Sequence, residues 1–330
     1  MVWYKQNFYE LHLFWKYHTH VGLLPILLKL FVLIDEVTVL VKFNLQTGVF
    51  TLHLHLRKKN INNKFMKPRL CKIVMIGLFF YLPFQSMGWG LLGHRIVGQI
   101  ADNHLNAKAR VAIKSILRNE SIAMSANWAD FIKSDSNFKY LDAWHYVNFD
   151  SGIDYTIMQS FLKEDTAVDA FTKLTFLTQQ LKNKKLDKTI QLFYLRLLIH
   201  IAGDVHQPLH ASAKGDRGGN DIKVQWFNQP ANLHSVWDSY IIESQQLSYT
   251  EYSTNLDHIT PVQLATWQKQ PLTKWLYDSY KISDTLRMEI KQPNQRLSYD
   301  YNFKHLHTLN DQLLKGGIHL AGLLNEIFGR

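Results

Sequence analysis

Two histidine–aspartate pairs at helical spacing are the residues best placed to do chemistry in this sequence. His200 and Asp204 stand four apart in LIHIAGD, and His234 and Asp238 stand four apart in HSVWD. Side chains four apart share one helix face, so an imidazole and a carboxylate there can bind the same or neighbouring metal ions. His210 follows Asp204 by six residues, just past Pro208, where the chain can turn back on the site. One such pair would read as a surface ion pair or a capped core histidine. Two pairs with His210 point to metal.

Three further candidates stand upstream: His94, Asp130 in NWAD, and His145 in WHYVN. Each has a plain alternative, since Asp130 can cap a helix and His145 can be a packed, hydrogen-bonded ring. The only cysteine is Cys71, so the candidate centre has nitrogen and oxygen donors alone. Zinc accepts that set. Calcium would want mainly oxygen, and manganese or iron are lesser options.

These residues need elements to position them. From residue 89 on, most of the chain reads as helix by apolar spacing: Leu92–Leu105, Ala107–Leu117, Asp165–Gln180, Thr189–Val205, Leu233–Ile242 and Asn302–Phe328. Pro208, Gly215, Gly218 and Gly219 mark a loop in the middle. A short strand pair fits around Lys223–Trp226. With no repeat or linker, residues 89–330 are expected to form a single all-α domain.

The formal charge of +10 is concentrated upstream. Residues 1–88 hold 11 Lys/Arg and 3 Asp/Glu, which leaves 26 basic and 24 acidic residues from 89 on. Bulk charge is thus a weak argument for nucleic-acid binding by the domain, and phosphate handling would lean on bound metal. Residues 66–88 have the three parts of a secretory signal: Lys67, Arg69 and Lys72, then the apolar run Ile73–Phe84, then small residues in Ser86-Met87-Gly88. That run is shorter than the ~20 residues that span a bilayer. Cleavage before Trp89 is expected, with Met66 as the natural start and residues 1–65 outside the natural product.

Taken in order, WGLLGH, NWAD, WHYVN, HIAGDVHQPLH, RGGN and HSVWD, with GGIHLAGLLNEIF at the tail, resemble the zinc-dependent single-strand nucleases of the S1/P1 type. The resemblance runs across nearly all of 89–330 and implies the helical fold shared with phospholipase C, three zinc ions and a role for each residue. Asp130, His145 and His200 would hold one zinc; His210, His234 and Asp238 a second. Trp89, through a freed amino group and its carbonyl, would hold a third with His94. Asp204 would bridge the first and third, and Asp130 would orient the attacking water. Tyr146 would stack a base, and Asn148 would hydrogen-bond it where some relatives carry Asp.

The substrates implied are single-stranded DNA and RNA and 3′-nucleotides, with 5′-phosphorylated products. The enzyme would be a monomer in the periplasm or outside the cell, without stable membrane association after cleavage. The absence of cysteine after residue 88 and the single sequon at Asn119 resemble bacterial-type members. The rivals are a zinc-dependent phospholipase C, a metal-binding protein without catalysis, and an enzyme that keeps its leader as an anchor.

Overall fold

The computed structural model describes four strands between residues 15 and 56, and residues 89–329. The expected signal segment, 66–88, lies outside the described residues. The strands β1 (Trp15–Lys16), β2 (Leu28–Ile34), β3 (Val37–Asn44) and β4 (Val49–Leu56) pair antiparallel in the order β1-β4-β3-β2. They and the residues from 89 on belong to two separate compact units.

The second unit carries every candidate ligand and is predominantly helical, as expected. Its helices are α1 (Leu91–Asn103), α2 (Ala107–Leu117), α3 (Ile122–Ser125), α4 (Trp128–Ile132), α5 (Tyr155–Glu164), α6 (Ala170–Leu181), α7 (Lys188–Asp204), α8 (233–243), α9 (Tyr249–Leu256), α10 (Pro261–Trp267), α11 (Leu272–Glu289) and α12 (Tyr299–Phe328). Its apolar core is continuous from Trp89 to Leu324. Among the described residues, no helix is long and apolar enough to cross a membrane.

α7 is the axis. Asp187 caps its start by accepting from Thr189 and Ile190 N–H. From Leu197 to Asp204 every residue is buried, so this half of the helix has no solvent face and lies inside the domain. α1 and α12 pack beside it. α12 has 30 residues, about 45 Å at 1.5 Å per residue. Its Gly317 permits close approach to α1, because a Cβ there would fall 2.5 Å from Ile100.

One start and one helix type differ clearly from the sequence reading. α6 begins at Ala170 rather than Asp165, because Asp169 and Thr172 form a reciprocal capping box that fixes the start. α8 starts as α-helix at Leu233–Ser235, widens into a π-helical turn at Val236–Tyr240, and ends as Ile241–Glu243. Such turns gather at functional sites, and this one carries Asp238.

The small sheets serve the site. β5 (Val147–Phe149) runs parallel to β6 (Ala211–Ala213), so the segments that follow His145 and His210 lie side by side. β7 (Lys223–Trp226) forms the expected hairpin with β8 (Gln229–Asn232) and gains a third, parallel strand, β9 (Gln295–Leu297). The hairpin delivers the chain directly into α8.

Candidate metal centre

The candidate ligands, scattered over residues 94–238, come together in one buried cage. His94 projects from α1, Asp130 from α4, His200 and Asp204 from the end of α7, and His234 and Asp238 from α8. His145 ends a 3-10 helix (Ser136–His145), and His210 ends a 3-10 turn (Pro208–His210) that folds back as Pro208 suggested. All eight are less than a tenth exposed.

Three donor triplets have ligand atoms within 4.8 Å of one another: His94, Asp130 and His200; His145, His200 and Asp204; His210, His234 and Asp238. The last is the set expected from the sequence. The expected set of Asp130, His145 and His200 is spread over the other two, which share His200. The spacings are short. His200 Nε2 lies 3.1 Å from Asp204 Oδ2 and 3.6 Å from Asp130 Oδ1. His94 Nε2 lies 3.4 Å from Asp204 Oδ1, and His234 Nε2 lies 3.0 Å from Asp238 Oδ2.

Backbone carbonyls aim the rings. Nδ1–H donates to the Ala126 carbonyl from His200 at 2.6 Å, to the His145 carbonyl from His210 at 2.6 Å, and to the Gly218 carbonyl from His234 at 2.6 Å. Each bond fixes the tautomer and turns Nε2 toward the cage, the arrangement a metal-binding histidine needs. Several inward atoms then find no hydrogen bond: both ring nitrogens of His94, Nε2 of His145 and of His210, and Oδ2 of Asp130.

The electrostatics suit a cation. Burial, with His200 beside it, lowers the pKa of His94; burial also lowers His145 and takes His210 down to about 3. Those rings are neutral at pH 7, with lone pairs free. Burial alone would lower His200 and His234 too, but Asp204 and Asp130 hold the first up, and Asp238 the second. Burial opposes charge on Asp204, yet His200, His145 and His210 keep its carboxyl well below the usual range. Burial pushes Asp238 up to about 6 despite His234.

The structure adds residues that the sequence reading missed. Lys133 Nζ lies 2.5 Å from Asp130 Oδ1; its place three residues on in a helix was the available signal. Gln207 donates to Asp238 Oδ1 and accepts from Leu209 N–H, tying the His210 turn to α8. Gly203 is small for a reason: a Cβ there would sit 2.9 Å from His94 Nδ1.

Trp89 is fully buried, and the next amide, Gly90 N–H, donates to the Asp238 carbonyl at 2.8 Å. The domain's first residues are thereby tied to α8. In this chain the Trp89 nitrogen is a peptide nitrogen following Gly88. Tyr146 and Asn148 lie outside the donor triplets. Tyr146 is 43% exposed, which removes core packing as its explanation, and Asn148 is half-buried on β5.

A helical domain wrapped around a buried, cysteine-free histidine–carboxylate cage is the build of a metal-dependent hydrolase. The S1/P1 nuclease family model matches residues 89–329, and the chain belongs to that family. Endonuclease 3 of Arabidopsis thaliana is 30% identical over 279 residues, covering 78% of this chain and 94% of that protein. Nuclease P1 of Penicillium citrinum is 27% identical over 266 residues, covering 73% and 98%. Among solved structures, alpha toxin from Clostridium absonum is similar with a TM-score of 0.41 and 16% identity, covering 73% of this chain and 65% of that one. The protein is therefore a zinc-dependent nuclease, a hydrolase of phosphodiester bonds.

Proposed function

We propose that this protein is an exported endonuclease that hydrolyses single-stranded RNA and DNA to 5′-phosphorylated products and removes phosphate from 3′-nucleotides. The observation that carries the site assignment is the set of inward ring nitrogens and carboxylate oxygens without hydrogen bonds. Each buried polar atom left unpaired costs about 1–3 kcal/mol, and divalent cations would take up the ring lone pairs and carboxylate oxygens among them together.

The reading calls for three zinc ions. His210, His234 and Asp238 would hold one, and Asp130, His145 and His200 another. His94 would hold the third with the amino group and carbonyl of Trp89, and Asp204, which lies beside both His94 and His200, would serve the last two. Signal cleavage before Trp89 would free that amino group, so export completes the site. The ions supply Lewis-acid stabilisation of phosphate charge and render water acidic enough to attack near pH 7.

The chain's own groups do the rest. Asp130 accepts a hydrogen bond from the attacking water and orients it. Against burial, His200 and then the Lys133 ammonium beside Asp130 keep that carboxylate ionised. Tyr146 offers an exposed ring on which an unpaired base can stack, a face that a duplex hides. Asn148 offers that base both a donor and an acceptor.

The test is a parallel assay on single-stranded DNA, single-stranded RNA and phosphatidylcholine, with zinc counted per chain. Single-strand cleavage lost on chelation and restored by zinc is expected. Lipid hydrolysis with nucleic acid left intact would overturn the reading. A chain beginning at Trp89 should hold three zincs; a chain that keeps residues 66–88 should hold two.

A further inference from the structure

The loop between β6 and β7 has an unusual backbone. Arg217, Gly218 and Gly219 have φ of 52°, 62° and 79°, three left-handed residues in a row. For the non-glycine Arg217 this conformation costs roughly 1–2 kcal/mol. The loop is also pressed onto the His210 segment, since a Cβ on Gly218 would fall 2.5 Å from the Leu209 carbonyl oxygen. Such a path persists only where the surroundings over-determine it.

Asp216 supplies that restraint. Its Oδ1 accepts from Gly219 N–H at 2.9 Å, and its Oδ2 accepts from Arg287 Nε–H at 2.6 Å. Both partners of the ion pair are largely shielded, with side chains 14% and 21% exposed. Arg287 lies on α11, in line with Ser279 and Ser283 at intervals of four residues. Ser279 donates to the Val205 carbonyl at 2.7 Å, and Ser283, whose hydroxyl donates to the Tyr280 carbonyl at 2.8 Å, lies 3.4 Å from the Ala211 carbonyl. One face of α11 thus lies along the segment from Val205 to Asp216 at three successive turns.

We propose that Arg287 is a positioning residue for the metal site of His210, His234 and Asp238. Through Asp216 it fixes the Gly218 carbonyl, which accepts from His234 Nδ1–H and aims Nε2 into the cage. The inference rests on the zinc reading above. Without Arg287, Asp216 loses its charged partner, the loop relaxes toward ordinary backbone angles, and the His234 ring loses its fixed acceptor. Outer partners of this kind typically change metal affinity 10- to 100-fold.

The experiment uses the full chain as wild type, Arg287→Gln, Arg287→Lys and Asp216→Asn. Zinc is titrated against a competing chelator, and the His234 Nδ1–H proton is followed by NMR on the metal-free, 15N-histidine-labelled protein. In Arg287→Gln one zinc per chain should weaken about tenfold or more, the others should hold, and the Nδ1–H signal should be lost. Arg287→Lys, which keeps the charge, should restore both in part. If Arg287→Gln does not fold, Asp216→Asn gives the same readouts with a nearly isosteric side chain. A folded variant with wild-type zinc affinity and an intact Nδ1–H signal overturns the proposal alone, and so does equal weakening of every site. A wild type that takes up no zinc overturns the functional reading with it.

Discussion

Two groups of buried histidines meet in one stretch of chain, where His206 stands between His200 and His210, and they differ in what surrounds them. In the cage, ring nitrogens of His94, His145 and His210 point inward without hydrogen bonds, among the carboxylates of Asp130, Asp204 and Asp238. His206 and His319 are as deeply buried, yet the protein itself completes them. His206 bonds to the Ala202 carbonyl at 2.7 Å and to His319 at 2.6 Å, and His319 reaches the Gln270 side chain at 3.0 Å. Trp275 stacks on His319 with centroids 4.6 Å apart. Beyond burial, His319 is lowered by His206 and then by Lys315 and Lys274, and His206 by Lys315; no carboxylate among the described residues acts on the pair. A buried imidazole is therefore no ligand by itself. What marks the cage is unsatisfied lone pairs beside carboxylates.

The widest separation between the two groups should appear on substitution. His200→Ala removes a ring shared by two donor triplets, and Asp204→Ala removes the carboxylate between His94 and His145. Either change should lower zinc content and cut single-strand cleavage by roughly a thousandfold or more. His319→Gln should leave zinc content unchanged and cost stability alone, about 1–3 kcal/mol. The comparison breaks if His319→Gln releases zinc, or if either cage variant keeps full activity.

How much of this was legible in the sequence follows from the same contrast. The two pairs at helical spacing, and His210 past Pro208, were readable because helix periodicity and a proline turn are local rules. Convergence of His94, Asp130 and His145 on those pairs was not readable from spacing, since packing of α1, α4 and the 3-10 helix against α7 decides it. The resemblance of the motifs supplied that step. Lys133, Gln207 and Gly203 went unread because their roles exist only once those elements meet. The start of α6 was misread by periodicity, since the Asp169 capping box overrides a pattern that continues upstream. The His206 and His319 pair shows the limit from the other side: HIAGDVHQPLH contains three histidines, and no spacing rule says that the middle one lies outside the cage.

A second, smaller difference concerns pH. Burial takes His206 down to about 4 from an ordinary value of 6.5. A histidine with a depressed folded pKa adds stability that is fully present above its unfolded pKa and is lost as pH falls through the folded one. The window is therefore pH 6.5 down to about 4, worth roughly 3 kcal/mol at 1.36 kcal/mol per pH unit. The cage also titrates in metal-free protein, so the useful quantity is the difference between wild type and His206→Gln. Denaturant unfolding from pH 7 to 4 should show a shallower loss of stability in the variant. Equal slopes would mean that His206 takes up its proton in the folded protein as readily as in the unfolded chain.

The smallest expected effect belongs to a ring outside both groups. Tyr146 follows the buried His145 directly, yet it is 43% exposed. Its backbone is already anchored, since the Tyr146 carbonyl accepts from Ala170 N–H, so removing the ring should not move His145. Stacking of one base on an aromatic side chain is worth about 1–3 kcal/mol. Tyr146→Ala should therefore raise KM for single-stranded oligonucleotides about tenfold, with zinc content and kcat nearly unchanged. Tyr146→Phe should restore KM, because the π-face does the binding and not the hydroxyl. If Tyr146→Ala loses zinc instead, the ring supports the cage from outside, and the boundary between ligand-holding and substrate-holding residues drawn at His145 is in the wrong place.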